Sequence, residues 1–133
     1  MLSVPQGLTE EQFAALSATV RAAVAHLGPD VQVQGSRAGG TAAAESDLDL
    51  AIRVSPERFV QLVRECFGTP NAGSAKARTM QHALQTGKIQ AGEAGLRPLR
   101  KALESALGIA VDISIVCIGG PFDQGPYLPL REA

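Results

Sequence analysis

Apolar positions recur along this chain with two different periods, and the switches between them mark out its elements. Phe13, Leu16, Val20 and Val24 fall at helical spacing behind a capping box, Thr9-Glu10-Glu11-Gln12, and Gly28 stops the run. Pro29 and Asp30 then turn the chain into the alternating stretch Val31–Gln34, which predicts a short strand. Residues 38–44 read as a short helix or coil, and Asp47–Val54 as a second strand. Ser55-Pro56 supplies a cap and a first-turn proline for a helix running to about Phe67, and Gly68 to Gly73 is a loop. Two more helices are predicted, Ser74–Thr86 and roughly Glu93–Leu107, each followed by a glycine where a left-handed cap belongs. Ala110–Val116 is a third strand, with Val111, Ile113 and Ile115 on one face and Asp112, Ser114 and Val116 on the other. The Gly- and Pro-rich stretch 119–133 reads as an extended, irregular tail. Periodicity alone yields an α/β or α+β domain.

Length and composition narrow this picture. With 133 residues the chain suits one domain with one continuous core. Tryptophan is absent and aromatics are 4% of the sequence, so Ala, Val, Leu and Ile must build that core. A net charge of −1 argues against a broad nucleic-acid surface but leaves room for a local basic groove. Cys66 and Cys117 are too few for a disulfide framework and read as small buried hydrophobes. No apolar run is long enough to span a bilayer, and the amino terminus lacks a signal-peptide pattern. A cytoplasmic site of action, with no membrane association, is therefore expected.

The chemistry concentrates in Gly35-Ser36-Arg37-Ala38 and in Ser46-Asp47-Leu48-Asp49-Leu50. A Gly-Ser turn after a strand is able to cradle phosphate with backbone N–H groups. Asp47 and Asp49, at i and i+2, project from the same face of a strand. Paired hard oxygen donors suit Mg²⁺, which binds through one or two carboxylates, waters and substrate phosphates. The bland alternative, a solvated acidic strand end, leaves two mutually repelling carboxylates in an apolar frame unexplained. Asp112 is the one acidic residue of the last predicted strand, readable as the third carboxylate of a two-metal site or as an aspartate on a solvated strand face. Lys76, Arg78, His82, Lys88, Arg97 and Arg100 form a basic middle stretch, equally readable as phosphate ligands or as solvated helix charges. Tyr127 reads as a loop anchor more readily than as a base-stacking residue.

These motifs resemble the signature of the DNA polymerase beta-type nucleotidyltransferases, which small bacterial members write G-S-x-A-R-G-x5-S-D-x-D-[LI]. Asp47 follows Ser36 by 11 residues, as in that pattern, while Gly39 stands where the pattern has arginine and Arg37 is the nearest substitute. The resemblance implies the nucleotidyltransferase fold, a small mixed β-sheet with helices packed on it. It implies two Mg²⁺ ions held by Asp47, Asp49 and Asp112, and a nucleoside triphosphate (NTP) as substrate. Gly35, Ser36, Arg37, Arg78 and Lys88 are the expected nucleotide-binding residues. An acceptor hydroxyl, on an RNA end or a protein side chain, would attack the α-phosphorus and release pyrophosphate.

A second resemblance rests on Arg78-Thr-Met-Gln-His82, Gly87-Lys88-Ile89-Gln90, Gly92-Glu93-Ala94-Gly95-Leu96-Arg97 and Gly119-Gly120-Pro121-Phe122-Asp123-Gln124-Gly125-Pro126-Tyr127. These look similar to nucleotidyltransferase-like modules at the carboxyl ends of large bacterial secreted toxins. That resemblance implies a toxin acting in bacterial competition, delivered into the target cytoplasm and opposed by a cognate immunity protein. A monomer is expected. The alternatives are an antitoxin-type transferase that modifies a partner protein and an inactive nucleotide- or protein-binding domain.

Overall fold

A five-stranded mixed sheet, in the order β3-β4-β2-β1-β5, organises the computed structural model, which describes residues 2–132. Residues 1 and 133, included in the single-domain expectation, lie outside that span, as does the last residue of the expected tail. The elements are α1 (Glu10–Val24), β1 (Asp30–Gln34), α2 (Ser36–Gly39), β2 (Leu48–Val54), α3 (Pro56–Phe67), α4 (Ala75–Thr86), β3 (Lys88–Gln90), α5 (Arg97–Leu107), β4 (Val111–Cys117) and β5 (Tyr127–Pro129). Strands β2 and β4 run parallel at the centre, and every other pairing is antiparallel. This is a small α+β fold, as the sequence predicts.

Local signals set most of these boundaries. The Thr9 side chain accepts from the Gln12 N–H and the Gln12 side chain accepts from the Thr9 N–H, which closes the capping box of α1. Ser55 and Ser74 cap α3 and α4 in the same sense. Helices α4 and α5 end at Gly87 and Gly108, both left-handed.

Three expectations are corrected. The short helix or coil expected over 38–44 is coil for most of its length, and the helical turn lies earlier, at Ser36–Gly39, ended by Gly40. The helix expected from Glu93 begins only at Arg97, because the Ala94 N–H turns back to Gln90 and the Leu96 N–H to Ala91. The tail is not irregular throughout, since Tyr127–Pro129 pairs with β1 as an edge strand. Strand β3, with only three residues, has no sequence period long enough to read.

The sheet has two unlike faces. Val31, Val33, Leu48, Leu50, Ile52, Ile113, Ile115 and Ile89 point into one core with Phe13, Val20 and Val24 of α1, Leu62 and Val63 of α3 and Leu103 of α5. Fully burying each such side chain stabilises the fold by about 1.5–3 kcal/mol. The opposite face carries Gln34, Asp49, Ala51, Arg53, Asp112, Ser114 and Lys88, by strand alternation and register. A strap of residues 118–126 crosses part of that second face. Ala51 and Val116 are fully buried there yet do not belong to the helix-packed core.

Candidate active site

Register brings two of the expected carboxylates together. Asp49 and Asp112 are direct partners across the parallel β2–β4 pair, so their side chains leave the same face as neighbours. They line a cavity of about 310 Å³ with Gln34, Gly35, Lys88, Ser114 and Phe122. The half-buried Asp49 carboxyl is pushed above its ordinary value, chiefly by burial, then by the charges of Asp112 and Asp47, while Lys88 opposes the shift. Asp47 is exposed, one residue before β2, and does not line that cavity. Its charge is nonetheless felt by Asp49.

The remaining sequence-predicted residues divide sharply. Gly35 is at the site, with φ of +89°, and a Cβ there would lie 3.3 Å from Asp49 Oδ2. Glycine is thus required twice, by conformation and by the closeness of the carboxylate. The Gly35 N–H donates to the Pro126 carbonyl (3.0 Å). That backbone donor is taken, and Ser36, the other half of the expected cradle, opens α2 beside the cavity without lining it. Lys88 is at the site, its Nζ 4.7 Å from the centroid of the Phe122 ring.

Arg37 and Arg78 are elsewhere. Arg37 is 4% exposed, and its Nε, Nη1 and Nη2 all donate to main-chain carbonyls, of Ser46, Gln6 and Ala44. An arginine so engaged staples the 41–46 loop to the start of the chain and has no guanidinium nitrogen left over for a nucleotide. Arg78 is exposed on α4 and donates to Gly73 O (2.7 Å), away from the carboxylates. Gly39, which replaces the arginine of the resembled pattern, has a packing reason. A Cβ at Gly39 would meet the Pro126 ring at 2.7 Å.

Residues that sequence reasoning did not assign also line the cavity. Gln34 donates from Nε2 to the carbonyls of Phe122 and Gln124 (2.7 and 2.9 Å), tying the strap to β1. Phe122 projects from the strap with 44% of its surface exposed, an aromatic plane at the rim. Ser114 sits one strand step beyond Asp112 on the same face. Strand alternation flagged Gln34 and Ser114 as outward-facing, but nothing in the sequence set Phe122 apart. Tyr127 is internal. Its hydroxyl donates to Asp123 and its ring lies 4.9 Å beneath the Arg53 guanidinium.

Among the described residues no three His, Cys, Asp or Glu side chains converge into a ready-made cage. Mg²⁺ does not need one, since one or two carboxylates with waters and substrate phosphates satisfy it. Two adjacent carboxylates, one with its charged form disfavoured by burial and by the other, fit that requirement. Comparison with family models, with curated proteins and with solved structures finds no match for this chain.

Proposed function

We propose that this chain is a Mg²⁺-dependent nucleotidyltransferase moving a nucleoside monophosphate from an NTP to a macromolecular hydroxyl. The observation that carries the reading is the pairing of Asp49 with Asp112 in a cavity walled by Lys88. Asp49 and Asp112 would hold the metal, with Asp47 joining from the rim. When bound, Mg²⁺ supplies positive charge to the phosphates and to the developing pyrophosphate. Ser36 and Lys88 orient the phosphate chain, Lys88 as a point charge opposite the carboxylates. Phe122 offers a face on which the base stacks. The acceptor oxygen bonds to the α-phosphorus, the bond from that phosphorus to the bridging oxygen breaks, and pyrophosphate leaves with the electron pair. The hydroxyl proton passes to the Asp112 carboxylate. Rate enhancement on this scheme comes from positioning and charge neutralisation, with no protein nucleophile.

The test is incubation with α-labelled NTPs, Mg²⁺ and cell extract. Label should enter RNA or protein, and Asp49→Ala and Asp112→Ala should each abolish it. Transfer at parental rates by either variant would refute the assignment. A second reading, a domain that binds nucleotide without transferring it, is favoured by the exposed position of Asp47 outside the cavity. Nucleotide binding without any label transfer would select it. The toxin role, with a cognate immunity protein, rests on the sequence resemblance. Growth arrest on expression inside bacteria, relieved by Asp49→Ala, is its expected signature.

A further inference from the structure

On the Asp112 side of the carboxylate pair lies a second cavity, of about 360 Å³, between the segment after β3 and the first turn of α5. Arg97 and Arg100 form its basic wall, Glu93 also lines it, and Asp112 lines both cavities. Among the described residues neither guanidinium makes an ion pair, and Arg100 Nε is buried with no hydrogen-bond partner. A buried donor of this kind carries a desolvation cost that an anionic ligand would remove. Gly92 completes the arrangement. A Cβ there would stand 2.7 Å from Arg97 Nη2 and 2.8 Å from Nε, so glycine lets the guanidinium lie flat against the backbone. Leu96, the residue before α5, provides no side-chain cap, so the first turn that carries Arg97 and Arg100 has no side-chain acceptor at its N-cap.

The order of groups across the sheet gives this corner its role. Gly35 flanks Asp49 on the β1 side, whereas Arg97 and Arg100 flank Asp112 on the β3 side. In-line phosphoryl transfer puts the leaving and attacking oxygens on opposite sides of the phosphorus. With the pyrophosphate in the first cavity, which Gly35 and Lys88 line from opposite sides, the acceptor arrives through the second, past Asp112. We infer that Arg97 and Arg100 bind a phosphodiester of the acceptor, and that the acceptor is therefore an RNA terminus rather than a protein hydroxyl. This inference rests on the transferase reading for its direction, though the anion site itself stands on the arginines alone. A protein side chain brings no phosphate to occupy the donors that Arg97 and Arg100 leave unbonded beside Asp112 and Glu93.

The test measures binding of a short fluorescent single-stranded RNA by anisotropy, and of ATP with Mg²⁺ by calorimetry. Arg97→Gln/Arg100→Gln should weaken RNA binding about ten- to a hundredfold and flatten its salt dependence, leaving ATP binding unchanged. Gly92→Ala keeps both charges but displaces the Arg97 guanidinium. It should lose RNA affinity in the same direction with little change in melting temperature. If the double variant loses ATP and keeps RNA, the anion is the nucleotide's own phosphate tail and the acceptor assignment is overturned. Parental affinity for both ligands would eliminate the anion site, and label found only on protein with RNA untouched would overturn the acceptor assignment. Arginine-dependent RNA binding in a protein that never transfers label would leave the site standing and remove the transferase reading instead.

Discussion

Asp49 is held where burial and the charges of Asp112 and Asp47 both oppose its ionised form. Its raised pKa means that the folded chain favours the protonated form more than the unfolded chain does. The metal-free protein therefore loses stability as pH rises from the ordinary value of 3.8 through the raised one, and stays weakened above it. Asp49→Asn should raise the melting temperature near neutral pH in the absence of Mg²⁺. Added Mg²⁺ should stabilise the parent and not the variant; equal melting of the two under all conditions would contradict this. Lys88 is the cation that offsets part of the Asp49 shift. On the proposed mechanism Lys88→Ala weakens nucleotide binding about ten- to a hundredfold, the worth of one charge-assisted bond to phosphate. Calorimetric titration with ATP checks it. Gly39→Arg, which restores the resembled pattern at that position, should destabilise the protein by forcing Pro126 off α2. A melt equal to the parent would show the tail to be more yielding than its 2.7 Å approach implies.

At the scale of elements, the strap is fastened chiefly by charge. Arg53 on β2 grips Asp123 through two bonds, Nε to Oδ1 (2.7 Å) and Nη2 to Oδ2 (3.0 Å), and reaches Asp30 Oδ2 with Nη1 (2.9 Å). Asp123 Oδ2 also accepts from the Gly119 N–H. The Arg53 bonds, with those from Tyr127 and Gly119, hold the Asp123 carboxyl far below its ordinary 3.8, and Tyr127 is pushed up to about 12, chiefly by burial. A depressed carboxylate stabilises the fold above its unfolded pKa. That contribution drains away as pH falls from 3.8 toward the folded value. Asp123→Asn should cost about 1.5–3 kcal/mol at neutral pH and flatten the acid limb of the melting curve, read by thermal melts across that range. An acid limb as steep as the parent's would assign the pH dependence to other carboxylates. Legibility in the sequence followed the same division. Elements with several turns or strand steps, such as α1, α3 and β4, announce themselves by period and caps. The three-residue strands β3 and β5 do not, and β5 hides among Gly and Pro because its pairing is with a distant strand. The outward face of Asp49 and Asp112 was readable from alternation, but their adjacency depends on long-range register. Arg37 beside a Gly-Ser turn looks the same in sequence whether it binds phosphate or braces a loop; only burial separates the two.

For the molecule as a whole, α1, α3 and α5 pack on one side of the sheet, and the other side carries polar side chains and a strap. Among the described residues no helix is long and apolar enough to cross a membrane. The two carboxylates come from β2 and β4, the central parallel pair, each one step in from the strand start, with β1 and β3 on either side. Alternation makes that placement self-checking. Sliding β4 by one residue against β2 would carry Asp112 under the sheet among Leu50 and Ile52 and raise Val111 or Ile113 into the polar cavity. A charge would be stranded in hydrocarbon and a core residue left in water, so the slipped form is penalised on both sides at once. Competence at the carboxylate pair and correct assembly of the core are therefore one event. A population of this protein should contain no well-folded molecules that are dead by mispairing, only complete ones and unfolded ones.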